Sequence, residues 1–356
     1  MSTTHSELEL EAIRICQELI RIPSVNFGDG KGDEKAVADY VAELLSEVGI
    51  EPTIYESAPG RCNVIARIKG SNSDRPGLVV HGHIDVVPAN ADDWSVDPFS
   101  GVIKDGFIWG RGAVDMKNMD AMILATVRDW KRTGYVPERD IVLAFFADEE
   151  AGSIFGSHYM VKNHPEVFAG CTEAVSEVGG FSVTVTGGKR LYLIETAEKG
   201  IHWMRLTAHG RAGHGSMMND DNAITRLSEA LAKIGRFEWP QRYSKTVKAF
   251  FKRIAQETGK PYNEEDLRPL LKEIGFASTM IGATLQNTAN PTMLDAGYKA
   301  NVIPGSASAT VDGRFIPGFE DEMNATIKSL IGENITVETI TRDKALEVPF
   351  EGDLVE

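Results

Sequence analysis

The chain has 356 residues, 42% apolar and 25% charged, a length and balance that suit about two soluble globular domains. Its 52 acidic and 37 basic side chains leave a net charge of −15, which argues against nucleic acid or anionic membranes as partners and suits a protein that collects cations. Cys16, Cys62 and Cys171 lie far apart without a C-x-x-C pair. Together with an acidic opening stretch, MSTTHSELELEAIRI, and the lack of any long apolar run, this points to a reduced, cytoplasmic protein with no leader and no membrane span.

Apolar residues at helical spacing (Leu10, Ile13, Ile20) predict a first helix over 7–21, and Ala36, Val37, Tyr40, Val41, Leu44 and Leu45 a second over 33–48, closed by Gly49. Strand-like segments follow at 52–55, 63–68 and 77–81, then a Pro/Gly/Asp-rich loop from Pro88 to Gly112. A helix over 117–133, a very apolar strand over 141–147 and a helix over about 153–162 complete a pattern that predicts an α/β sandwich on a largely parallel sheet. The character changes near Lys199. From residue 200 to about 340 the pattern is strand, helix (223–234), basic helical insert, two strands, helix (320–330) and strand. In the insert Val247, Phe250, Phe251 and Ile254 mark a packed amphipathic face.

The chemistry gathers at strand ends. In LVVHGHIDVVP, residues two apart share a strand face, so His81, His83 and Asp85 point together at a carboxyl-terminal edge, where open parallel sheets bind ligands. GRGAVDMK places Asp115 between a glycine turn and a helix. AFFADEEAGS ends a buried strand with Asp148, Glu149 and Glu150, three consecutive carboxylates that repel one another unless a cation neutralises them. AVSEVGG adds Glu177 at a further strand end. Mixed imidazole and carboxylate ligands favour zinc, with cobalt or manganese as alternatives. An amidohydrolase barrel also opens with H-x-H at a strand end, but the other histidines are not placed at later strand ends, and no G-x-S-x-G serine elbow occurs.

HGHIDVVP, WGRGAVDMK, FFADEEAGS and SEVGG occur in this order with RIPSV near Pro23, GRAGHGS around His214, ANVIPG and DGRFIPG. Together they resemble the di-zinc exopeptidase and deacylase family of aminoacylase, succinyl-diaminopimelate desuccinylase, acetylornithine deacetylase, carboxypeptidase G and several dipeptidases. The resemblance covers essentially the whole chain. It implies a zinc-exopeptidase-like α/β/α sandwich over 1–198, continuing at 341–356, with an inserted α+β lid and dimerisation domain over 199–340. It further implies that His83 and Glu177 bind one zinc, that Asp115 bridges two, and that Glu150 binds the second. Asp85 then fixes the His83 tautomer, Glu149 is the general base, and the Asp115–Met116 peptide is cis. His214 would stabilise the oxyanion of a partner subunit in a homodimer, and Asn301 and Arg314 would hold a substrate carboxylate, although Arg314 also has Asp312 and Glu320 as candidate ion-pair partners.

The activity this implies is hydrolysis of an amide next to a free carboxylate, in a dipeptide, a C-terminal residue or an N-acyl amino acid. A biosynthetic N-acyl or N-succinyl deacylase is one alternative, and a non-catalytic dimeric binding protein or an inactive shortened form is another. The family's last metal-binding histidine, in a His-Gly context near the C-terminus, has no counterpart, since no histidine follows His214. The expectation is therefore a C-terminally shortened chain whose second zinc site is impaired.

Overall fold

The computed structural model describes residues 5–28, 30–177 and 179–354. Met1–Thr4 of the opening stretch, Val178 of the SEVGG motif and the last two residues, which include Glu356, lie outside the described residues. The chain divides into two compact units, 1–177 and 178–356. Among the described residues no helix is long and apolar enough to cross a membrane.

The first unit begins with α1 (Glu7–Arg21), whose Ser6 and Glu9 cap one another's backbone N–H groups, and α2 (Lys35–Ser46). Strands β1 (Thr53–Ala58), β2 (Arg61–Ile68) and β3 (Gly77–His83) follow, then a small hairpin of β4 (Val102–Lys104) and β5 (Phe107–Trp109). Helix α3 (Lys117–Thr133), β6 (Ile141–Phe146), α4 (Ser157–Asn163) and β7 (Cys171–Val175) complete it. The sheet order is β1-β2-β6-β3-β7.

The pairs β3–β6 and β3–β7 are parallel, whereas β1–β2 and β2–β6 are antiparallel. The sheet is therefore mixed rather than largely parallel. Pro59 and Gly60 form a two-residue turn between Ala58 and Arg61, with Gly60 at positive φ, and so short a connection forces a hairpin.

Strand β6 is buried throughout, because both sheet faces are covered. Its Leu143 and Phe145 pack with Val64, Ala66 and Leu78 against α1, α2 and α3. Its Val142, Ala144 and Phe146 pack on the opposite face with Ile65, Val79 and Met160 of α4. This is the α/β/α sandwich that the motifs imply.

The second unit contains the hairpin β8 (Gly179–Thr184) and β9 (Arg190–Ile194), then β10 (Ala197–Glu198), β11 (Gly200–His209), β12 (Gly213–His214), α5 (Ala223–Gly235) and α6 (Lys245–Thr258). After a 3₁₀ segment at Arg268–Ala277 come α7 (Ser278–Gly282), β13 (Thr288–Ala296), β14 (Val302–Ile303), β15 (Ser306–Phe315), α8 (Glu320–Ile331), β16 (Ile335–Asp343) and β17 (Leu346–Glu347). Antiparallel strands in the order β13-β15-β11-β16 carry α5 and α8, whose Leu227, Ile234, Met323 and Ile327 fill the core with Met204, Leu206 and Val311. The insert helix α6 buries Val247, Phe251 and Ile254 against the 3₁₀ segment and the β8–β9 hairpin, so the aromatic stripe is a packed face.

Candidate metal centre

Two parallel strands position the first groups. His83 ends β3 opposite Phe146, the last residue of β6, so the chain leaves both strands on the same edge of the sheet. After β6 it turns at once. Asp148 adopts a left-handed conformation (φ 65°), Glu149–Ala151 form one 3₁₀ turn, and Gly152 closes it at φ 99°. Asp tolerates the left-handed region better than most residues because its short side chain bonds locally. Here Asp148 Oδ2 accepts the Phe155 N–H at 3.0 Å.

His83 is almost fully buried. Its Nδ1 lies 3.0 Å from the Asp85 carbonyl oxygen, a pure acceptor, so Nδ1 carries a proton and Nε2 turns the other way. Nε2 meets three carboxylates: Asp115 Oδ1 at 3.0 Å, Glu177 Oε2 at 3.3 Å and Glu149 Oε2 at 3.7 Å. The ligand atoms of His83, Glu149 and Glu177 all lie within 4.8 Å of one another, as do those of His83, Asp115 and Glu150. The Asp115–Met116 peptide is cis, as the motif implies. Among the described residues no lysine or arginine forms an ion pair with these four carboxylates.

Asp85 is fully buried behind His83 and ties the segments together. Its carboxylate accepts the backbone N–H groups of Glu149 and Glu150 at 3.1 Å each, and the Asn26 side-chain amide at 2.8 Å.

The electrostatics follow from this crowding. Burial opposes a charge on His83, yet Asp115, Asp85 and Glu177 together drive its pKa well upward. Burial would raise Asp85, but its hydrogen bonds from His83 and Asn26 hold it below the usual range. The hydrogen bond with His83 lowers Asp115. Burial, reinforced by Glu177 and Glu150 against the opposing His83, pushes Glu149 up to about 7. Burial and then Asp115 raise Glu150.

His81 does not join either ligand group. Its ring packs 5.5 Å from that of Phe146, and burial lowers its pKa. The remaining candidates belong to the second unit. His214 pairs with Val302 across β12 and β14, and Gly215 N–H donates to the Asn301 carbonyl at 2.9 Å, which brings His214 and Asn301 side by side. Arg314, on β15, grips Asp312 with two bonds of 2.7 and 3.2 Å.

Several supporting residues escaped the motif reading: Asn26, Glu34, Arg61 and Lys117. Lys117 is fully buried, and its ammonium donates to the carbonyls of Leu19 and Ile22 at the end of α1 (2.8 and 2.9 Å), a cation at a helix C-terminus. Its position inside GRGAVDMK was the available signal. Asn26 directly follows the RIPSV motif, but nothing in its residue type announces its bonds.

The model of peptidase family M20/M25/M40 matches residues 79–342. The chain belongs to this family. It is 28% identical over 311 residues to the N-fatty-acyl-amino acid synthase/hydrolase PM20D1 of Xenopus tropicalis, a match that covers 84% of this chain and 60% of that protein. It is 30% identical over 269 residues to a probable carboxypeptidase S-like 2 of Dictyostelium discoideum, covering 70% of this chain and 50% of that one. Against aminoacylase-1 of Sus scrofa it is 27% identical over 348 residues, with 96% and 75% covered. This chain thus spans half to three quarters of the length of these relatives. Among solved structures, the metallo-carboxypeptidase Sso-CP2 of Sulfolobus solfataricus shares the fold at a TM-score of 0.70 and 18% identity, with 99% of this chain and 82% of that chain covered.

Proposed function

We propose that the protein is a metal-dependent hydrolase of C–N bonds that cleaves an amide next to a free carboxylate. Family membership supports the class. The observation that carries the reading is the convergence of one imidazole nitrogen and four carboxylates that, among the described residues, form no ion pair with lysine or arginine. This donor set fits divalent cations, zinc above all, with cobalt or manganese as substitutes. His83 and Glu177 would hold one ion, Asp115 would be shared, and Glu150 would serve the second.

Divalent cations held by these residues would supply Lewis acidity for polarising a carbonyl and acidifying water, the second ion, with Asp115 and Glu150 but no later histidine, being held more weakly. The protein's own groups do the rest. Glu149, beside the ligand carboxylates and pushed upward by burial, would take a proton from the attacking water and return it to the leaving nitrogen. Asp85 keeps the His83 proton on Nδ1 and holds the Glu149–Glu150 turn through its backbone N–H groups. We assign residues 199–340 the role of lid and dimerisation domain. The partner subunit's His214 would donate to the developing oxyanion, and Asn301 and Arg314 would bind the substrate carboxylate. The three free cysteines support a cytoplasmic setting.

The substrate class is an amino acid with a free carboxylate acylated by a second amino acid or another acyl group. A panel of dipeptides, N-acetyl, N-fatty-acyl and N-succinyl amino acids, assayed with added zinc, cobalt or manganese, tests it. Hydrolysis confined to members with the free carboxylate supports the reading. Hydrolysis of none would leave a binding protein.

A further inference from the structure

Beneath the turn that carries Glu149 and Glu150 lies a buried chain of charges that none of the motif roles uses. Arg61 opens β2 and is 1% exposed. Its Nη2 donates to Asp148 Oδ1 at 2.6 Å, and its Nε faces Glu34 Oε2 at 3.0 Å as an ion pair. The guanidinium is roofed by Phe155, whose ring centre lies 5.5 Å away. A Cβ added to Gly32 would come within 2.0 Å of Arg61 Nη1, so the loop before Glu34 closes tightly over the group. Asp148 Oδ1 also accepts the Asn26 amide at 3.0 Å, and the same amide donates to Asp85. The continuous path therefore runs Glu34, Arg61, Asp148, Asn26, Asp85, His83.

We propose that Arg61, backed by Glu34, is a positioning residue for the metal centre, acting through Asp148 to hold the turn that aims Glu149 and Glu150. The inference rests on the hydrolase reading above for its catalytic consequence, but its metal-binding consequence stands apart. Asp148 sits at φ 65°, a left-handed conformation that Asp tolerates, and its neighbours lock the side chain in that setting. Arg61, Asn26 and the Phe155 N–H clamp its side chain, while its carbonyl accepts the Ser153 N–H at 2.6 Å. With Asp148 fixed on both sides, the next two N–H groups are directed at Asp85, to which they donate at 3.1 Å each. One guanidinium bonds Asp148 through Nη2 while its Nε lies against Glu34, a span that the single ammonium of Lys cannot reproduce. A buried ion pair alone is a weak source of stability, so this cluster is better explained by the geometry it imposes.

The test uses the whole chain and three variants: Arg61→Lys, Glu34→Gln and, as a control, Arg128→Lys. Arg128 is also buried in the same unit, at 7% exposure against 1% for Arg61, but its partners are Glu11, Glu47 and the Leu44 carbonyl, away from the metal centre. Zinc affinity is read by competition with a chromophoric chelator, and backbone protection over 147–156 by hydrogen exchange of the metal-free protein. Values of kcat and KM are read at saturating zinc. Arg61→Lys should weaken zinc binding about tenfold, speed exchange at 149 and 150, and lower kcat about tenfold with little change in KM. Arg128→Lys should lower the melting temperature and leave zinc affinity unchanged. If Arg61→Lys fails to fold, the isosteric Glu34→Gln must shift zinc affinity and exchange in the same directions. Zinc affinity and exchange within twofold of wild type in a folded Arg61→Lys or Glu34→Gln protein overturns the proposal. A wild-type protein that binds zinc but hydrolyses nothing in the panel defeats the hydrolase reading, while the affinity and exchange arms still judge Arg61.

Discussion

His83 and Asp115 are 32 residues apart in the chain, yet Nε2 of one lies 3.0 Å from Oδ1 of the other. The first ends a central strand, and the second sits in the turn before α3, held by a cis peptide to Met116. The contact joins two walls of one cluster. Glu177 closes the third side, after β7, and Glu149 with Glu150 the fourth, after β6.

In the proposed mechanism Glu149 moves protons while His83, Asp115, Glu150 and Glu177 anchor the cations. Glu149→Gln should retain zinc at the wild-type stoichiometry while kcat falls by roughly 10²–10⁴. Metal analysis of the purified variant beside steady-state kinetics checks this, and unimpaired turnover would remove Glu149 from the chemistry.

Carboxylates this close repel unless a cation or proton lies among them. Dialysis against a strong chelator should therefore lower the melting temperature, and zinc added at about 1,000 times its Kd should restore about 4 kcal/mol. A melting curve indifferent to chelator and zinc would contradict the cluster's role.

A separate ion-pair cluster predicts acid sensitivity. Glu11 on α1 is bonded by Arg132 and by Arg128 (2.9 Å) on α3; the Arg132 bond, with help from Arg128, outweighs burial and brings its carboxyl down to about 2. In the unfolded chain it titrates near 4.3. The unfolded state thus binds more protons between these values, so the stabilisation is complete above about pH 4.5 and is lost as pH falls toward 2. Glu11→Gln should cost about 1–2 kcal/mol at pH 7, and the difference from wild type should shrink on acidification. Urea unfolding at pH 7, 5, 4 and 3 measures it; a constant difference would refute the assignment.

Gly156 precedes α4, where the chain returns past the end of β6. A Cβ there would sit 1.8 Å from the Ala147 carbonyl oxygen, a backbone atom without freedom to retreat. Gly156→Ala should destabilise the protein by about 1–3 kcal/mol and weaken zinc binding by disturbing the adjacent turn. Unchanged chemical denaturation would show that the segment yields more easily than its packing implies.

Much of this fold and site was legible in the residues. Helices α1, α3, α5, α6 and α8 follow apolar spacing closely, and four motifs pointed to His83, Asp115, Glu149, Glu150 and Glu177, which the structure brings together at strand ends. The mixed sheet was missed because helix–strand alternation suggests parallel strands, while the deciding signal was the small Pro59–Gly60 turn. Asn26, Glu34 and Arg61 were invisible for a different reason. Their work depends on long-range proximity, at sequence separations such as 87 residues for Arg61 and Asp148, and no local pattern encodes that.

The central claim is that His83, Asp115, Glu150 and Glu177 form one metal-binding cluster. Crystals of the protein grown with zinc, measured on both sides of the zinc absorption edge, test it most directly. The account predicts an anomalous peak in contact with His83 Nε2 and the carboxylates of Asp115 and Glu177. Occupied zinc bound elsewhere, with these four side chains left free of it, would contradict the account.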